Sequence, residues 1–279
     1  MQNPGNEISS EVNRLMESAR RLGVEIDEQE AAQWLGAIDG ARQSEDVVVD
    51  VREGVFGHRV TMLDFSPARL AHFRKIAKIV EFTDEPGVVE TALALSGSAA
   101  QSRIQTFPGD ADFFERVNIK AATREEACQI LARVMREKAL ASLRGPEYQL
   151  IEVKFGSYPQ EMTVDGRKQA AGAPIAWRAD QIQAGVIEGA LADGTAYSLS
   201  WEEAGRNPGW CKLDWVVADA VKRQLVNASN MLDATWESPE GEIVPLDGYL
   251  DPYFQEVYLE SSSIPIFSKL AKHVDGNAL

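Results

Sequence analysis

Residues 93–115 read Leu-Ala-Leu-Ser-Gly-Ser-Ala-Ala-Gln-Ser-Arg-Ile-Gln-Thr-Phe-Pro-Gly-Asp-Ala-Asp-Phe-Phe-Glu, and they contain the two motifs that indicate the fold. A short apolar run ends at Gly97 and Ser98, and after eleven intervening residues an alternating segment begins at Asp110. Successive side chains of a strand point to opposite faces, so Asp110 and Asp112 project together while the apolar residues between and after them face the other way. The segment therefore predicts a strand with two carboxylates on one face.

The chemistry of these residues indicates a nucleotide site. Two neighbouring carboxylates repel each other unless a cation lies between them, and oxygen ligands at this spacing suit Mg²⁺. Gly97 allows the backbone to approach a ligand closely, and Ser98 adds a hydroxyl and a backbone N–H where anions are favoured. Gly-Ser is a common pair, and Asp-x-Asp alone also occurs in a solvated edge strand or a structural Ca²⁺ site. Together the two halves predict a site that holds a triphosphate against metal ions.

A Gly-Ser turn followed by Asp-x-Asp about a dozen residues on resembles the DNA polymerase β-like nucleotidyltransferase superfamily. The longer form at residues 108–115, Pro-Gly-Asp-Ala-Asp-Phe-Phe-Glu, looks most like a viral or phage-type branch. The resemblance implies an α+β fold, the nucleotidyltransferase palm, in which a mixed β-sheet carries helices on one side. It also implies two Mg²⁺ ions, with Mn²⁺ as a substitute, and transfer of a nucleoside monophosphate from a nucleoside triphosphate to an acceptor hydroxyl with release of pyrophosphate.

The same resemblance implies a third carboxylate, on a strand beside the Asp-x-Asp strand. Asp214 is the best match, because a carboxylate in the apolar segment 211–217 is costly to bury unless it is paired or binds a metal. Glu152 competes for the role, but Lys154 lies two residues on and can neutralise it on the same face. We favour Asp214, and expect Lys154 and Lys212 to point into the same cleft. The expected site comprises Asp110, Asp112 and Asp214 as catalytic residues and metal ligands, with Gly97, Ser98, Lys154 and Lys212 as nucleotide-binding residues.

Composition limits the class of protein. The 279 residues carry 43 Asp and Glu against 28 Lys and Arg, a formal net charge of −15, and a field of that sign repels polynucleotides. The sequence contains no apolar run long enough for a membrane span and no secretory signal. With two cysteines, Cys128 and Cys211, a reducing cytoplasm is the expected location.

Periodicity predicts helices at both ends of the chain around one sheet. We expect N-terminal helices and a β-hairpin over 1–85, the nucleotidyltransferase core over 86–220, and a hairpin with helices over 221–279. Within these segments, residues 46–63 are predicted as a hairpin, 156–210 as irregular chain, 231–246 as a second hairpin, and 251–260 and 264–273 as helices. No linker divides the chain.

The motifs do not name the acceptor, the triphosphate or the oligomeric state. The acidic composition favours a protein or small-molecule acceptor, and an RNA-tailing enzyme similar to poly(A) polymerases is the alternative. A hypothesis of another class is a nucleotide-binding or interaction protein that keeps the fold without turnover. A structural Ca²⁺ protein, indifferent to nucleotide, is the third possibility.

Overall fold

The computed structural model describes residues 4–42, 67–82, 87–95, 110–219, 224–246 and 264–268. Three predicted segments lie outside these ranges: the hairpin at 46–63, the Gly97-Ser98 turn and the helix at 251–260. In chain order the described elements are α1 (Pro4–Arg21), α2 (Glu28–Arg42), α3 (Pro67–Val80), β1 (Val88–Leu95), β2 (Asp110–Lys120), α4 (Arg124–Ala141), β3 (Arg144–Gly145), β4 (Tyr148–Ser157), β5 (Met162–Val164), β6 (Arg167–Gln169), β7 (Pro174–Arg178), α5 (Ala179–Ala184), β8 (Val186–Leu191), β9 (Ala196–Ser200), α6 (Trp201–Ala204), β10 (Lys212–Asp219), β11 (Gln224–Glu237), β12 (Ile243–Pro245) and β13 (Ile264–Ser268).

A mixed nine-stranded sheet forms the centre of the described chain. Its strands run in the order β13-β1-β2-β11-β10-β4-β3, with β12 paired to β11 and β7 paired to β4. The neighbours β2 and β11 are parallel, and the other recorded pairs are antiparallel. The predicted α+β class with a mixed sheet is therefore confirmed. The predicted division at residue 220 stays a prediction, although β11 lies beyond it and occupies the middle of the sheet.

Helices lie on both faces of this sheet. On one face, α3 and α4 pack into the main core, where α4 begins at a cap in which Thr123 Oγ1 accepts the N–H of Glu126. On the other face, α1 and α2 pack against β10 and β11 in a second core, formed by Val12, Leu15, Ala19, Val24, Ile26, Ala31, Trp34, Leu35, Val216, Ala218 and Leu225. The helices α3 and α4 thus lie on one face of the sheet, and the N-terminal helices α1 and α2 cover an apolar end of β10 and β11 on the other.

The first two helices end and begin at residues that favour helix termini. Gly23 ends the first helical segment with φ +75°, in the left-handed region that favours glycine. Asp27 and Glu30 form a capping box, since Glu30 N–H donates to Asp27 Oδ1 at 2.8 Å and Asp27 N–H to Glu30 Oε2 at 3.1 Å. Among the described helices, none is long and apolar enough to cross a bilayer.

The segment from 156 to 210 is regular, which corrects the prediction of irregular chain. It contains β7 and a four-stranded sheet in the order β6-β5-β8-β9, with the short helices α5 and α6 between strands. Phe155, Trp177 and Trp201 hold this region to the main core, and the rings of Phe155 and Trp201 stack at 4.8 Å between centroids. Strands of three to six residues are too short to show a clear period-2 pattern in the sequence, so this segment resembles loop.

The C-terminal part differs from its prediction. The second hairpin is confirmed, since β12 pairs antiparallel with the end of β11. The predicted helix at 264–273 is wrong over its first part, because Ile264–Ser268 is the strand β13, paired antiparallel with β1. A short run of Ile-Pro-Ile-Phe suits helix and strand equally by periodicity, and its two β-branched residues favour a strand in which Pro265 sits on an edge.

Candidate functional site

Asp110 and Asp112 open strand β2 on the face away from the main core. Both side chains are half-buried, whereas Ala111 and Phe113 are buried in the main core behind them, as the alternation predicts. Leu95, the last residue of β1, lies opposite Phe113. The chain that leaves β1 toward the Gly97-Ser98 turn therefore starts beside this end of β2, and the turn itself is outside the described residues.

A row of polar side chains crosses four neighbouring strands of the sheet. Asp112 on β2 is in register with Ser229 on β11, Ser229 with Asp214 on β10, and Asp214 with Glu152 on β4. Residues directly opposite one another share a face of a sheet, so the four side chains form one row, here called the polar row. The predicted third carboxylate and its competitor are both in this row.

Asp214 is not on the strand beside β2, where the resemblance implied a third carboxylate. Strand β11 lies between them, so two inter-strand spacings, about 10 Å, separate the Cα atoms of Asp112 and Asp214. The position next to Asp112 belongs to Ser229.

Asp112 is a half-buried acid close to other acids. Burial raises the pKa of Asp112 above its ordinary value, and the negative charges of Asp110 and Asp214 act in the same direction. The Ser229 hydroxyl, which donates to Asp112 Oδ1 at 2.7 Å, and the charge of Lys212 oppose the rise. A cation placed beside Asp112 would relieve the same repulsion.

Two lysines contact Asp214. Lys212 Nζ lies 2.8 Å from Asp214 Oδ1, and Lys154 Nζ lies 3.5 Å from Oδ2 and 2.8 Å from Glu152 Oε1. Asp214 Oδ2 is buried and accepts no hydrogen bond, so its contact with Lys154 at 3.5 Å is electrostatic. Burial alone would lower the pKa of Lys154, but its contacts with Glu152 and Asp214 outweigh burial and raise it. Both lysines therefore lie beside the polar row, each paired with an acid, and their facing a common cleft stays a prediction.

The carboxylates of the polar row are oxygen ligands of the kind that Mg²⁺ binds. Among the described residues, no three His, Cys, Asp or Glu side chains are gathered closely enough to hold an ion as they stand. Mg²⁺ is ordinarily held by one or two carboxylates together with water and substrate phosphates, and does not require a complete protein cage. Carboxylate oxygens, the mutual repulsion at Asp112 and the buried Asp214 Oδ2 without a hydrogen-bond donor all suit such an ion.

Glu115 lies behind the row, on the opposite face, as its position in the strand predicts. Its side chain is fully buried and accepts the Phe82 N–H at 3.0 and 3.1 Å and the Asn230 amide at 2.6 Å. Asn230 also donates to Val80 O at 3.0 Å, which ties the end of α3 to the sheet. Burial raises the pKa of Glu115 to about 8, against the opposing effect of these hydrogen bonds.

Sequence reasoning missed Ser229 and Asn230. Both belong to β11, whose first seven residues precede the predicted start of the hairpin strand at Met231. The signal in the sequence was the run Asn227-Ala-Ser229-Asn230, polar residues embedded in an apolar strand. Polar residues inside a strand are retained where each has a partner, and here the partners come from β2 and α3.

No protein-family model and no curated protein matches the chain. Two solved structures of a nucleotidyl transferase encoded by a Megaviridae ORFan gene align with it, both at 12% sequence identity. The first has a TM-score of 0.38 over 68% of this chain and 53% of its own length, and the second 0.39 over 61% and 55%. This chain thus spans about half of either structure. A likeness of this size does not establish a shared fold, and it says nothing of this chain's activity.

Proposed function

We propose that this protein is a Mg²⁺-dependent nucleotidyltransferase that moves a nucleoside monophosphate from a nucleoside triphosphate to an acceptor hydroxyl and releases pyrophosphate. The observation that carries the proposal is the polar row, in which Asp112 and Asp214 share one face of the sheet and the ammonium groups of Lys212 and Lys154 contact Asp214. Acidic groups that bind an ion and basic groups that bind phosphate are the two requirements of phosphoryl chemistry.

The carboxylates have the first role. Asp110 and Asp112, with Asp214 across the row, would hold Mg²⁺ or Mn²⁺. When bound, the ion neutralises the charge of the triphosphate and activates the acceptor hydroxyl. Burial of Asp112 lowers the local dielectric constant, so its interaction with a cation is stronger than at an exposed site.

The basic and backbone groups have the second role. Lys212 and Lys154 would meet triphosphate oxygens, and the pair orients the nucleotide along the row. Gly97 and Ser98 would cradle the phosphates at the end of β1, in the segment that follows Leu95. The lysines are held by Asp214 and Glu152, so binding a triphosphate exchanges one set of anionic partners for another.

The acceptor we propose is a protein or small-molecule hydroxyl. The net charge of −15 opposes nonspecific contact with nucleic acid. In the row the two lysines are each paired with an acid, so they add no uncompensated positive charge there. RNA tailing is the alternative within the same chemistry, and a nucleotide-binding protein without turnover is the alternative of another class.

The test is pyrophosphate release from each of the four ribonucleoside triphosphates, with Mg²⁺ or Mn²⁺, in the presence and absence of RNA and of a protein acceptor mixture. Asp112→Asn serves as the blank, since it removes a charge and keeps the size. Asp193→Asn is the matched control, because Asp193 lies exposed in the β8–β9 turn, where its side chain accepts the Thr195 N–H.

We expect release that disappears in the Asp112 variant and persists in the Asp193 variant. Dependence on added RNA would favour tailing over transfer to protein. Nucleotide-dependent thermal stabilisation without any release would identify the silent binding protein. Absence of both effects with every triphosphate would overturn the proposal.

A further inference from the structure

We infer that Ser229 is a positioning residue for Asp112, holding one carboxylate oxygen toward β11 so that the other faces the bound ion. The inference rests on the proposed function and goes beyond it, because the expected site contained no residue of β11. Ser229 would touch neither the ion nor the nucleotide. It would act through the carboxylate that does.

The geometry of the hydroxyl supports this role. Ser229 is buried, with 5% of its surface exposed, and stands in direct register with Asp112 on the parallel neighbour β2. Its Oγ lies 2.7 Å from Asp112 Oδ1. A hydroxyl has one hydrogen to donate, and on the other side of Ser229 the carboxylate of Asp214 is already contacted by lysines. The hydrogen is therefore committed to Asp112.

Asp112 needs such a tie because its neighbours repel it. Asp110 and Asp214 place two further negative charges close enough to act on Asp112. Without a donor on the β11 side, the carboxylate would turn away from these charges, and a metal ion would have to reorder it on binding. A ligand that is oriented beforehand binds more tightly, since the ordering cost is already met in folding.

The purely structural explanation is that Ser229 merely joins two strands. The same strand pair contains a matched bond that serves as a control: Thr235 Oγ1 on β11 donates to Asn118 Oδ1 on β2 at 3.0 Å. Thr235 is in register with Asn118, six residues along β11 from Ser229, and is on the same face. Loss of either bond removes one cross-strand hydroxyl, but only one of them belongs to the proposed metal site.

The experiment measures Mn²⁺ affinity by electron paramagnetic resonance of the free ion, without nucleotide, for the full chain and four variants. These are Ser229→Ala, Ser229→Thr, Thr235→Ala and Asp112→Asn. We expect Ser229→Ala to weaken Mn²⁺ binding roughly tenfold, the usual effect of losing a hydrogen bond to a metal ligand. Ser229→Thr keeps the hydroxyl and should restore binding to within about threefold, while Thr235→Ala should match the unmodified chain.

Urea denaturation of each variant separates loss of fold from loss of affinity. If Asp112→Asn abolishes Mn²⁺ binding and Ser229→Ala leaves it unchanged, the positioning role is wrong and the metal site stands. If Ser229→Ala and Thr235→Ala weaken binding equally, the effect is structural and the inference is overturned. If the unmodified chain binds no Mn²⁺ without nucleotide, its carboxylates hold no ion by themselves and the role of Ser229 is overturned, whereas the proposed function is judged separately by pyrophosphate release.

Discussion

Asp214 and Glu152 stand directly opposite each other on the antiparallel strands β10 and β4, and the ammonium of Lys154 lies within reach of both carboxylates. Like charges directly opposite in a sheet are destabilising. Lys154 also lies 5.6 Å from the centroid of the Trp210 ring, so its cation has a third partner. The two acids that compete for the role of third carboxylate are therefore held together by one lysine.

Replacement of this lysine should lower stability. Lys154→Met leaves the two carboxylates facing each other without a cation between them, and we expect a loss of about 1 kcal/mol in the free energy of unfolding, limited by the partial exposure of the group. The double variant with Glu152→Gln should recover most of the loss, because the repulsion is then removed. Urea denaturation at pH 7 measures the free energy of unfolding of both variants. If Glu152→Gln recovers none of the loss caused by Lys154→Met, repulsion between the two carboxylates is not the cause of that loss.

Replacement of Lys212 should weaken nucleotide binding more than it lowers the stability of the fold. Its ammonium contacts Asp214 and acts electrostatically on Asp112, so it faces the proposed ion and phosphates. We expect Lys212→Met to weaken nucleoside triphosphate binding roughly tenfold, as for loss of a hydrogen bond to a charged group. Lys120→Met is the control. Lys120 ends β2, the strand of Asp112, and pairs with Glu237 away from the polar row. Equal effects of both substitutions would mean that only net charge matters.

Glu115 should make stability depend on pH. Its pKa is raised from an ordinary 4.5 to about 8, chiefly by burial, with Glu81 adding to the rise and Lys138 on α4 opposing it. The folded state thus holds a proton that the unfolded state releases, so the contribution is fully present below about pH 4.5 and is lost as the pH rises through 8. Glu115→Gln keeps the shape and does not titrate. The free energy of unfolding should therefore fall less between pH 5 and 9 in this variant than in the unmodified chain, and identical slopes would show that Glu115 ionises normally.

Gly156 should tolerate no side chain. It has φ +79°, and a Cβ there would lie 2.7 Å from the carbonyl oxygen of Ala204. Gly194 has a similar φ of +84° with open space around it. We expect Gly194→Ala to lower the free energy of unfolding by about 1 kcal/mol from backbone strain alone. Gly156→Ala should lower it clearly more, because the new Cβ at the end of β4 also clashes with the backbone of Ala204 in α6. Thermal or urea unfolding compares the two, and equal losses would mean that α6 shifts freely.

Local signals predicted the parts of the fold that local contacts determine. The alternation at Asp110 and Asp112 identified both the strand and its two faces. The capping residues Asp27 and Thr123 gave the starts of two helices, because a cap bonds to a backbone group three residues away. Each of these interactions lies within one short segment, so the sequence alone contains both partners.

Long-range pairing could not be predicted in the same way. Ser229 donates a hydrogen bond to Asp112 across 117 positions of sequence, and neither segment indicates that the other is its partner. The insertion of β11 between β2 and β10 follows from that pairing. The distance from Asp112 to Asp214 therefore could not be predicted from the spacing of residues in the sequence. At Ile264, the choice between helix and strand depended on whether the edge of β1 was open to a partner.

The parallel pairing of β2 and β11 also sets the order in which parts of the sheet can form during synthesis of the chain. The ribosome delivers Asp112 more than a hundred residues before Ser229, and α4 with the whole four-stranded sheet is synthesised in the interval. Until β11 has left the exit tunnel, β2 has an unpaired edge and its acids have no cover on that side. Pairings of such high contact order form slowly. The polar row is thus among the last features a nascent chain can complete, and a chain that stops before residue 224 has no such row.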